Sequence, residues 1–87
     1  MDSLEKIEIF KKLLSYHDIT VKGLHFSISD TPEGNKILIE RHEIRKVDGT
    51  PRRFEYTVGY FDTAWEAAEA IYTAASLLKE EEKNERQ

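Results

Sequence analysis

Apolar residues recur every three or four positions between residues 3 and 16: Leu4, Ile7, Phe10, Leu13 and Leu14. That spacing predicts an amphipathic helix with one core-facing stripe. Asp2 suits its N-cap, and Glu5 three residues on completes a capping box. The period then falls to two. From Ile19 to Ser29, Leu24, Phe26 and Ile28 point one way and His25, Ser27 and Ser29 the other, which predicts one half-buried strand. Asp30-Thr31-Pro32-Glu33-Gly34-Asn35 predicts a reversal, because proline presets φ and glycine accepts a positive φ. Lys36 to Val47 predicts a second strand. Ile37 and Ile39 share a parity that Ile44 breaks, and a bulge near His42 would reconcile them. Val47-Asp48-Gly49-Thr50-Pro51 predicts a second turn. In the third strand, Arg52 to Phe61, the residues Phe54, Tyr56, Val58 and Tyr60 alternate with Arg53, Glu55, Thr57 and Gly59.

Thr63-Ala64-Trp65-Glu66 is a capping box by residue type and opens a helix from 63 to about 81. Ala64, Ala67, Ala68, Ile71, Ala74, Ala75 and Leu78 form its apolar stripe, and small side chains let a helix lie close on a sheet. Trp65 and Tyr72 fall on its flank, where they pad the sheet edge. The expected fold class is α+β: helix, three-stranded antiparallel meander, helix, with both helices on one sheet face and the other, polar face bare. Residues 1–81 make a single domain. The charged end, from Lys79 to Gln87, predicts a frayed tail over 82–87.

Composition narrows the chemistry. A chain of 87 residues buries only about 60–65% of its unfolded surface, which disfavours deep substrate clefts. With no cysteine, disulfides, cysteine-ligated zinc and thiol catalysis are excluded. Apolar runs no longer than Ile37-Leu38-Ile39 exclude a membrane span and a secretory signal, so a cytoplasmic location is expected. The three histidines, His17, His25 and His42, share no metal-ligand spacing, although His25 and His42 could face each other across the sheet. No phosphate loop, nucleophile elbow or histidine–carboxylate motif is present. A non-enzymatic binding module without cofactor or metal is expected.

The net charge of −4 hides an asymmetry. Residues 36–53 hold Lys36, Arg41, Arg45, Lys46, Arg52 and Arg53 against Glu40, Glu43 and Asp48, an excess of three positive charges. A basic hairpin on an acidic protein attracts anions locally. Cross-strand Arg–Glu pairs on a solvated hairpin explain the same residues more simply.

The segment Thr57 to Ala70, TVGYFDTAWEAAEA, resembles the strand-to-helix junction of the plant ethylene-response-factor (Apetala-type) DNA-binding domain. The matching positions are Gly59, Phe61, Asp62, Thr63, Ala64, Glu66, Ala67 and Ala68, and Glu43-Ile44-Arg45 matches that family's Glu-x-Arg on the second strand. Integrase N-terminal domains are similar in layout. The resemblance spans about 50 residues, Val21 to Ala70, and is specific only at the junction. It implies a bare sheet face laid in the DNA major groove. It makes Arg41, Arg45, Arg52 and Arg53 the expected contacts, with Lys36, Lys46 and His25 at the margin. Where the family has arginine and tryptophan on the third strand, this chain has Glu55 and Thr57. The helix–strands–helix order also resembles the double-stranded-RNA-binding domain, but that family needs lysines at the start of its last helix. Here Asp62 and Glu66 stand there.

Two readings follow. The first is a DNA-binding accessory module that sets the sheet face and basic hairpin on duplex DNA. The second is a protein-interaction module, such as a small acidic regulator or inhibitor of the kind mobile elements encode. It rests on the net charge, on Glu55 and Thr57, and on the acidic last helix with Glu66, Glu69 and Glu80 to Glu82. Edge strands, or Trp65, Tyr72 and Leu77, offer surfaces for homodimerisation.

Overall fold

The structure, a computed structural model, describes the backbone of residues 2–85 and the side chains of residues 3–78. Helix α1 (Asp2–Leu13) leads into strands β1 (Asp18–Val21), β2 (Leu24–Asp30), β3 (Ile37–Val47) and β4 (Thr50–Phe61), and helix α2 (Ala64–Glu85) closes the chain. The strands are antiparallel and lie in sequence order, so β1 and β4 are the edges.

The fold is α+β, but the sheet has four strands rather than the expected three. The stretch from Ile19 is folded back on itself at Lys22 and Gly23, whose φ angles are 51° and 79°. Two consecutive positive φ values make the tight turn whose twist matches a hairpin. Val21 therefore pairs with Leu24 and Ile19 with Phe26. Lysine has no preference for this conformation, so Lys-Gly is a weaker signal than the Asp48-Gly49 turn, which has the same geometry (φ 53° and 79°) and was legible.

Ile9, Ile19, Phe26, Ile39, Ala67, Ala68, Ile71 and Ala75 are buried together. Residues directly opposed across a ladder project to the same side. The pairs Ile19–Phe26 and Ile28–Ile39 thus place the apolar side of β1, β2 and β3 beneath both helices. The predicted alanine stripe holds in Ala67, Ala68 and Ala75, which have no exposed area. The Thr63 hydroxyl accepts the Glu66 N–H at 3.2 Å and caps α2 as expected. The expected Asp2 cap lies outside the described side chains. The expected tail falls on helical backbone as far as Glu85, with Arg86 and Gln87 outside the described residues.

The buried line of α1 differs from the predicted one. Ile9 is the buried residue, at 4% exposure, with Phe10 and Leu13 beside it, whereas Leu4 (63%) and Leu14 (65%) face outward with Ile7. The cause is α2. Trp65 turns toward α1 instead of padding the sheet edge, whereas Tyr72 lies between α1 and the β1 edge, with Lys22 5.5 Å from its ring centre. Phe10 meets the Trp65 ring edge-on at 5.7 Å, and Lys6 lies 5.6 Å from the Tyr72 ring centre. These contacts rotate α1 so that the line Lys6, Ile9, Phe10 and Leu13 faces inward.

The bulge is also displaced from its expected place near His42. Ile39 pairs with Gly59 and Glu40 with Thr57, so the extra residue is Val58, on β4. Beyond it the alternation shifts. Tyr60 lies opposite Leu38 and is exposed, while Phe61 lies opposite Ile37 and packs on the core. A Cβ on Gly59 would sit 2.8 Å from Cζ of Phe61, whose ring folds back over that glycine. Ile44 stays on the side opposite Ile37 and Ile39 and is 74% exposed.

Pairing of β2 with β3 ends at His25–His42, but β3 and β4 continue together from Glu43–Phe54 to Val47–Thr50. The outer part of that hairpin is a two-stranded ribbon overhanging the sheet.

Candidate functional site

The sheet face away from the helices carries Asp18, Thr20, His25, Ser27, Glu40, His42, Ile44, Lys46, Arg53 and Glu55 by alternation and register. His25 and His42 are opposed directly, as the sequence suggested. A cavity of about 380 Å³ opens here between Asp18, Thr20, His25, His42, Ile44 and Arg53. Its side chains are already tied to one another. His25 Nδ1 lies 3.1 Å from the Thr20 hydroxyl. Arg53 can only donate, so its 3.0 Å contact makes Nδ1 of His42 the acceptor. The His42 proton then sits on Nε2 and is donated to Ser27 Oγ at 2.7 Å. Glu55 flanks both side chains, 3.7 Å from Arg53 Nε and 3.6 Å from His42 Nδ1. Positive and negative groups therefore alternate across this face.

The helix side of the ribbon is organised around Glu43. Its carboxylate accepts from Arg41 Nη1 at 3.1 Å, from Arg45 Nε at 3.0 Å and from the Tyr56 hydroxyl at 2.9 Å. Tyr56 in turn accepts from Arg45 at 2.6 Å. Arg41 stacks 4.4 Å from the Tyr56 ring centre and Arg45 4.2 Å from that of Phe54, within cation–π range. Partial burial works to raise the Glu43 carboxyl. The Tyr56 and Arg41 hydrogen bonds and the charges of Arg41 and Arg45 outweigh it and hold the group below the ordinary carboxylate range.

The seven residues expected to meet DNA do not form one surface. Arg41, Arg45 and Arg52 project to the helix side, whereas His25, Lys46 and Arg53 project to the open side. Lys36 lies just before the start of β3, far from the hairpin turn, and bonds Asp62. Arg41 and Arg45 share Glu43, and Arg53 is beside Glu55. Among the described residues, Lys46 and Arg52 have no ion-pair partner.

A surface that pattern reading missed is the outer side of α1, where Leu4 and Ile7 stand one turn apart and Leu14 follows the helix end. Its signal was a surplus. With Ile9, six aliphatic or aromatic positions crowd residues 4–14, more than one narrow stripe can bury. Among the described residues no helix is long and apolar enough to cross a membrane, and no group of three or more His, Asp or Glu converges in metal-binding geometry. Comparison with known protein families, curated proteins and solved structures returns no match.

Proposed function

We propose that this chain is a protein-interaction module that engages its partner through the outer side of α1. The observation that carries this reading is the exposure of Leu4, Ile7 and Leu14 on a helix whose opposite side already fills the core. Neighbouring apolar side chains left in water mark protein contact surfaces. The alternating charges of the open sheet face support the same class of partner, since a phosphate backbone favours a continuous run of cations. The partner surface should be apolar at its centre, to desolvate Leu4 and Ile7. The test is affinity capture from nuclease-treated native extract with the wild type and with Leu4→Glu/Ile7→Glu. Both positions are exposed, so the double variant should keep its circular dichroism spectrum and melting midpoint yet lose a stoichiometric protein partner. Equal recovery by both proteins rules out this surface.

One observation favours a second reading. The overhanging ribbon ends in Lys46 and Arg52, which are unpaired among the described residues, with Arg45 and Arg53 beside them. A two-stranded ribbon fits the major groove of duplex DNA. The junction resembling the ethylene-response-factor domain points the same way. Duplex binding at about 50 mM salt, unchanged by Arg52→Glu/Arg53→Glu, would end this reading.

A further inference from the structure

The edge strands differ in how they are closed. β1 has four residues, with both helices packed near it, and its turn residue Lys22 reaches the Tyr72 ring at 5.5 Å and Glu5 at 3.7 Å. β4 has twelve residues and no strand beyond it. Beside this edge a trough of about 620 Å³ runs between Val58 and Phe61 of β4 and Ala70, Ala74 and Leu77 of α2, with Glu66, Glu69 and Thr73 of α2 also lining it. An unpaired row of backbone donors and acceptors next to a partly apolar trough is a template for strand addition.

The charges at its two ends indicate what would add. Arg52 stands near the start of β4, on the helix side, and Glu66 stands in the first turn of α2, just past the end of β4. Neither has an ion-pair partner among the described residues. A free cation at one end of an edge and a free anion at the other are complementary to the same edge turned through a two-fold axis. We propose that β4 pairs antiparallel with β4 of a second copy, making a continuous eight-stranded sheet with Arg52 of each copy beside Glu66 of the other. Pairing centred on Tyr56 sets Tyr56 against its own copy, a favourable cross-strand combination. With Val58 as the extra residue, Phe54 then falls opposite Gly59 of the second copy and Arg52 opposite its Phe61, at the start of its α2. The two-fold axis stands perpendicular to the sheet, so both α2 helices lie on the same side. The Ala70, Ala74 and Leu77 surfaces then face each other over the seam. One patch serves both copies, so the assembly closes at two.

The test uses the full chain without nucleic acid and reads mass by sedimentation equilibrium. The wild type should have twice the 10.2 kDa chain mass. Arg52→Glu and Glu66→Arg each place like charges together twice per dimer. Each should weaken self-association by at least about tenfold while the folded spectrum persists, because both positions are exposed. Mixed one to one, the two variants restore opposite charges at both contacts, and the dimer should return. Hydrogen exchange should show the outward amides of β4 protected in the wild type and unprotected in either variant. A wild type that stays monomeric at about 0.5 mM, well above a micromolar dissociation constant, overturns the proposal. So does a dimer indifferent to both charge reversals. Substitutions at Leu4 and Ile7 should leave this association intact, which separates it from the α1 surface.

Discussion

The two ends of the β3–β4 hairpin share a backbone architecture and are held by different forces. Toward Ile39 and Phe61 the hairpin lies beneath α2 and is fixed by apolar burial. Toward Glu43 and Phe54 it has left β2 and the helices behind, and Glu43, Arg41, Arg45 and Tyr56 hold its side chains in register. Apolar burial is non-directional and insensitive to charge, whereas the Glu43 lattice depends on hydrogen-bond geometry and protonation. The covered end should therefore set global stability, and the ribbon should open locally under conditions that leave the core intact.

The largest effect should come from the covered end. Phe26→Ala should cost about 3–5 kcal/mol and Ile39→Ala about 2–5 kcal/mol, read as a lower urea midpoint. Next, Gly59→Ala pushes a methyl against the Phe61 ring and should cost about 1–3 kcal/mol by the same measurement. Tyr56→Phe removes the hydroxyl between Arg45 and Glu43 and should cost about 1 kcal/mol. Its loss should appear chiefly as faster hydrogen exchange in Glu43–Val47 and Thr50–Phe54, with Phe26 and Ile39 amides unchanged. If Tyr56→Phe instead speeds exchange throughout, the hairpin is a single cooperative unit.

The smallest effect is a pH dependence confined to the ribbon. Glu43 titrates lower in the folded chain than in the unfolded one, so its contribution is fully present above the unfolded value. That contribution is lost as pH falls through the depressed folded value. Ribbon amides should lose protection over that acid window, and Glu43→Gln should remove the step. An identical acid profile in Glu43→Gln would assign the transition to other carboxylates.

The same contrast governs what pattern reading could find. Leu24, Phe26 and Ile28 alternate because a core lies on one side, so their strand and its buried face were legible. Thr63 and the alanines of α2 were legible for a similar local reason, since a cap and a docking face leave fixed spacings. The β1–β2 turn was missed because Lys22 adopts a positive φ that its residue type does not advertise. Ile44 announced a break in alternation on β3, but no bulge reconciles it and it stays exposed, while the slip that does occur lies at Val58 on β4, where Phe54, Tyr56, Val58 and Tyr60 showed an unbroken alternation. The inward line of α1 was hidden because Trp65 and Tyr72, more than 50 positions away, decide it. The basic hairpin was visible as composition. That its guanidiniums divide between two faces, with three of the four beside carboxylates, depends on a register the charge count does not contain.

Val58 lets β4 absorb one residue without disturbing the faces on either side of it. Gly59 stays opposite Ile39 and Thr57 opposite Glu40, so deleting Val58 would join them in a regular ladder and leave every side chain from Thr50 to Thr57 on its present side. A residue inserted elsewhere in β4, with no bulge to take it up, would instead turn that whole arm over. The hairpin thus tolerates an added codon at one position and is inverted by it at the others.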